Sequence, residues 1–160
     1  MLAAIAAKLE ELSDVQKQLL DVAEQKRLII IERKIEDLNE LVKQEAGLID
    51  RLSALESERE QLVEEFLKQH PTLSFQEAIS QTRDELAQKK VQMQMAALQQ
   101  GMTDLQAKNK VNERLLKDAI HFVQHMIEQV TKSKQQNFNY QSPMQTKSTT
   151  ASRGFFDTKA

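Results

Sequence analysis

The chain has no cysteine and no tryptophan among its 160 residues, only three glycines and two prolines, and aromatic side chains make up just 4%. Without cysteine there is no disulfide framework, no thiolate zinc site and no cysteine nucleophile. Long hydrophobic runs are missing as well. The longest, MLAAIAA at residues 1–7, falls far short of the roughly 20 apolar residues that a membrane span needs. No basic segment precedes it, and Glu10 and Glu11 follow it soon after. Neither a signal peptide nor a transit peptide is therefore expected, and a cytoplasmic protein is.

What is present is Leu, Ala, Glu, Gln and Lys, with 29% of residues charged. That is the composition of long helices. The length allows one domain with a tail. The net charge of −2 is unevenly placed: residues 133–160 carry Lys134, Lys147, Arg153 and Lys159 against Asp157, a net +3, which leaves −5 on the remainder. An acidic body argues against phosphate-backbone binding, which needs clustered Lys and Arg. The pairs Lys89–Lys90 and Lys108/Lys110 read as a solvated helix face.

The apolar spacing is helical from the start: Leu2, Ile5, Leu9, Leu12, Val15, Leu19, Val22. It breaks over AEQKR (23–27) and resumes at Leu28, Ile31, Ile35, Leu38 and Val42, continuing to Val63 and Phe66. A second row, Leu41, Leu48, Leu55 and Leu62, runs beside the first. Two adjacent rows make a face wider than a two-stranded seam uses, so this helix needs at least two neighbours. Pro71 ends it, and His70 before the proline is pushed toward extended backbone. Ser74 and Glu77 then fit a capping box that opens a new helix bearing Phe75 and Ile79. The short intervening loop makes the two helices antiparallel neighbours.

Thr82 or Asp84 can end a short helix and cap the next; one helix running from Phe75 to Val130 is the alternative. The favoured division is helices over about 2–68, 74–82 and 84–131, followed by a flexible polar tail at 133–160. In the long last helix Met93, Met95 and Met102 read as soft fillers, and Gly101 costs about 1 kcal/mol relative to Ala in a helix interior. The stripe sharpens at Val111, Leu115, Leu116, Ala119, Phe122, Val123, Met126, Ile127 and Val130. It is wide enough either to receive a partner or to pack on residues 2–22 of the first helix. The fold class is all-α: an elongated antiparallel helical hairpin or bundle of two long helices and one short one, with a disordered C-terminal tail. Phe138, Tyr140, Phe155 and Phe156 sit in that tail, among Ser, Thr, Gln and Asn.

No catalytic constellation emerges. The three glycines stand apart, so there is no phosphate-cradling loop, and no H-E-x-x-H occurs. His121 and His125 share a helix face, but only Glu128 stands near as a third ligand, and two polar positions flanking the stripe are the simpler reading. No catalytic residue, metal site or cofactor is expected, and the protein is not expected to be an enzyme.

LLDVAEQKRLIIIERKIEDLNELVKQEAGLIDRLSALESERE (19–60) resembles the long first helix of FlgN-type flagellar export chaperones. NKVNERLLKDAIHFVQHMIEQV (109–130) is similar to the family's last helix, with Asn109 and Asn112 ahead of Leu115 and Leu116. FFDTKA (155–160) is like the family's FD-x-x-A ending. The resemblance implies a cytoplasmic chaperone of flagellar type III secretion. It would hold the C-terminal segments of the hook-associated proteins FlgK and FlgL unassembled and deliver them to the export gate FlhA. It places substrate binding on Val111, Leu115, Leu116, Phe122, Val123, Met126 and Ile127, and gate binding on Tyr140 with Phe138. The tail aromatics then anchor a partner; folding back on the stripe as a lid is the other possibility. From a different class, a homo-oligomeric coiled-coil spacer with no client fits the same periodicity. Monomer and homodimer both remain open.

Overall fold

A computed structural model describes residues 1–140, with side chains through residue 136. The described residues form four helices and no strand: α1 Leu2–Glu32, α2 Ile35–Lys68, α3 Phe75–Ser80 and α4 Glu85–Tyr140. Residues 1–117 make one compact unit, and the end of α4 belongs to a second that starts at Asp118.

The expected single helix over 2–68 is two helices. Arg33 adopts a left-handed backbone (φ 59°, ψ 35°), and the N–H groups of Arg33 and Lys34 reach back to the carbonyls of Ile30 and Ile29, each at 3.2 Å. Those two bonds close α1 in the manner usually reserved for glycine. α2 then opens with Glu36 and Asp37 in its first turn, where negative charge meets the positive end of the helix dipole. The chain reverses here, and α1 and α2 pack antiparallel. Lys26 pairs with Glu45 at 2.8 Å and Lys8 with Glu58 at 2.7 Å, so partners move up one helix as they move down the other. Leu28, Ile31 and Ile35 carry the helical spacing through the turn, yet all three are exposed, at 48, 55 and 71%.

The core lies between α1, α2, α3 and the first part of α4. α1 supplies Leu2, Ile5, Leu9, Leu12, Val15 and Leu19; Leu55 and Phe66 come from α2, Ala78 and Ile79 from α3, and Val91 and Leu105 from α4. Each of the larger side chains contributes about 1.5–3 kcal/mol on full burial. Ala23 is 1% exposed, so the weak spot in the pattern at 23–27 is no break: the stripe continues there through a small residue.

α3 closes one end of the unit. Phe75 stands edge-on to Phe66 at 6.0 Å. Ser74 accepts from the Glu77 N–H, and the Ser74 N–H donates to the Glu77 carboxylate at 2.8 Å. That backbone donor, with the Ser74 hydroxyl, holds the Glu77 carboxyl below its ordinary pKa. A second cap separates α4 from α3, since Asp84 Oδ1 accepts from the Ala87 N–H at 3.0 Å. α4 runs parallel to α1: Glu10 meets Lys90, Gln16 meets Leu98 and Glu24 meets Lys108.

The last helix does not end near 131. α4 continues to Tyr140, so 133–140 of the expected tail is helical. The segment TKSKQQN lacks an apolar stripe, but Lys and Gln are good helix formers and no Gly or Pro intervenes before Pro143. Residues 141–160, with Phe155 and Phe156, lie outside the described residues.

Candidate functional site

α4 has two differently furnished parts. In the first unit it is locked to α1 by two buried carboxamides pointing in opposite directions. Gln16 of α1 donates from Nε2 to the Leu98 carbonyl at 2.9 Å. Asn112 of α4 donates from Nδ2 to the Ala23 carbonyl at 2.8 Å. Both side chains are buried, and Asn112 Oδ1 meets no donor among the described residues. A polar group of this kind tolerates only the register that satisfies it, so the pair fixes how far α4 is slid along α1. Gly101 permits the first contact: a Cβ there would lie 2.0 Å from Gln16 Oε1.

Near Asn112 the groove between α1 and α4 opens to about 300 Å³, with Ala23, Ala107 and Val111 against Glu24, Arg27 and Lys108. Glu24 bridges Arg27 at 2.9 Å and Lys108 at 3.2 Å. Hydrogen bonds from Arg27, and then from Lys108, hold its carboxyl below the usual range.

From Asp118 to Gln136 no described side chain is buried. The seven residues expected to bind a substrate protein, Val111, Leu115, Leu116, Phe122, Val123, Met126 and Ile127, all lie on α4. Leu115 is half-buried and the other six are exposed, Phe122 at 44% and Met126 at 52%. Residues 10–24 of α1 are met by the earlier part of α4, from Lys90 to Asn112. Two further apolar residues belong to the same face, Ile120 at 49% and Val130 at 53% exposed. Ile120 was legible from its spacing, four residues after Leu116 and three before Val123. Gln16, Gly101 and Asn112 were not, because a lone amide or glycine in a helix carries no mark of what crosses it.

Phe138 and Tyr140, the expected gate residues, have their backbone in the last turn of α4; their side chains lie outside the described residues. His121, His125 and Glu128 do not converge: among the described residues no three His, Asp or Glu side chains are placed to hold a metal. No helix among them is long and apolar enough to cross a membrane.

The described residues are all-α, and the face of α4 from Leu116 to Val130 is exposed. The FlgN protein family model matches residues 1–148, and the chain belongs to that family. The family is one of flagellar chaperones, not of enzymes, and it binds flagellar hook-associated proteins; a flagellar chaperone role follows for this chain. Searches of curated proteins and of solved structures return no match.

Proposed function

We propose that the exposed face of α4 from Val111 to Val130 binds the C-terminal helical segments of the hook–filament junction proteins FlgK and FlgL. Binding keeps those segments from assembling in the cytoplasm and brings them to the export gate, FlhA, of the flagellar type III secretion system. The observation that carries the reading is the run of apolar side chains, from Leu116 to Val130, left open to solvent. Contiguous apolar surface of this size is costly in water and marks an interaction site. An amphipathic client helix laid along it buries both apolar faces at once. An interface of about 1,600 Å² is the ordinary size for a specific complex. The step needs no nucleotide and no cofactor, since burial drives it. Phe138 and Tyr140, at the end of the same helix, serve as the gate contact: aromatics give large contact area at low rotamer cost.

The test pairs two variants. Phe122→Asp with Met126→Asp places two charges on the face and abolishes client binding while circular dichroism shows the helices intact. Tyr140→Ala leaves client binding unchanged and weakens binding to the cytoplasmic domain of FlhA. A double aspartate variant that still binds the client would refute the face assignment. Undiminished gate binding by Tyr140→Ala would refute the tail assignment.

A further inference from the structure

The open face of α4 is two stripes rather than one. Leu116, Ile120, Val123, Ile127 and Val130 follow one another at intervals of four, three, four and three. That alternation alone is a complete seam for one partner helix. All five side chains are exposed, between 41 and 53%. Beside them run Val111, Leu115, Ala119, Phe122 and Met126, at intervals of four, four, three and four; Leu115 and Ala119 are half-buried, Val111 borders the groove against α1, and Phe122 and Met126 are exposed. At 3.6 residues per turn the centres of the two stripes stand about 100° apart around the helix. Two neighbours of one helix in a square four-helix arrangement are about 90° apart. The remaining side of this stretch carries Arg114, Lys117, Asp118, His121, His125 and Glu128, a solvated back.

A single docked helix covers one seam and leaves most of the other in water, because a two-stranded contact uses only the narrow stripe. The stripes also differ in shape. The first has β-branched residues at four of its five positions. The second has a notch at Ala119 between the larger Leu115 and Phe122, which lets a partner backbone come close. We infer that the face takes a pair of packed amphipathic helices from one client, one helix on each stripe, and not a lone helix. The inference rests on the client-binding reading and states what kind of segment that site recognises.

The test uses the full chain with two probes: an intact hook-associated protein of the same organism, and a synthetic peptide of that protein's last helix. Val123→Asp loads one stripe with charge and Phe122→Asp the other, and both positions are exposed enough for the fold to tolerate them. Titration calorimetry with the intact client is expected to show each variant weakening binding at least tenfold. With the single-helix peptide only one of the two variants weakens it. The pattern across the stripes decides, since ordering a free peptide lowers its affinity in any case. The inference is overturned if the intact client responds to one stripe alone, or if the lone peptide responds to both. Failure of wild type to bind either probe overturns the client reading itself, and this inference with it.

Discussion

The effect of replacing Gly101 by Ala is expected to depend on the residue at position 16. In a solvated helix the change stabilises by about 1 kcal/mol, because Ala has less backbone entropy to lose. Here a Cβ at 101 lies 2.0 Å from Gln16 Oε1 and 2.6 Å from its Cδ. Neither contact is tolerable, so the carboxamide must leave, and with it the 2.9 Å bond from Nε2 to the Leu98 carbonyl. Losing that bond costs about 1 kcal/mol, and up to about 3 kcal/mol where the carboxamide stays unpaired in the apolar seam. Set against the gain in propensity, Gly101→Ala alone ranges from neutral to destabilising by about 2 kcal/mol. In a Gln16→Ala background the obstacle is gone, and the same change stabilises by about 1 kcal/mol. Urea unfolding of the four variants, followed by the helical circular dichroism signal, closes the cycle. A stabilising Gly101→Ala in the wild-type background would mean that α1 and α4 do not approach as described.

Two other substitutions probe the frame that holds α4. Asn112→Asp puts a carboxylate against the Ala23 carbonyl, which accepts from Nδ2 in the native chain; burial without a donor partner destabilises by about 3 kcal/mol at neutral pH. Its folded-state pKa is raised, so the loss is absent below the unfolded Asp value of about 3.9 and appears as pH rises through the raised one. Stability of the variant relative to wild type, measured from pH 4 to 7, should fall with pH; a flat difference would contradict buried contact. Arg33→Gly should be about 1 kcal/mol more stable than Arg33→Ala, because only glycine enters the left-handed region without strain. The side chain's own interactions cancel in that comparison, and equal midpoints would place the α1–α2 turn elsewhere.

The helices were legible where local chemistry and periodicity agree. Ser74 with Glu77 announced α3, Pro71 closed α2, and the stripe after Val111 marked the uncovered face. The turn at Arg33 was not legible: ERK carries no Gly, Pro or Asn, and the apolar spacing crosses it unbroken through Leu28, Ile31 and Ile35. The reversal is set by tertiary packing of α1 on α2, at the expense of an arginine in a left-handed conformation. The end of α4 is not marked by the apolar pattern, since periodicity stops at Val130 while the propensity of Lys and Gln carries the helical backbone on to Tyr140. Asn112 stood out in sequence only through resemblance to the family's last helix. Its physical role, a hydrogen bond from one helix to the backbone of another 89 positions away, requires the fold.

Client binding, as proposed, covers the face from Val111 to Val130. Its most direct test is hydrogen exchange on the full chain, alone and mixed with a hook-associated protein of its own organism, at roughly tens of micromolar. A stoichiometric complex with new amide protection over residues 111–130 and little change in α3 is the expected result. No complex, or a complex that leaves 111–130 exchanging as in the free protein, would contradict it.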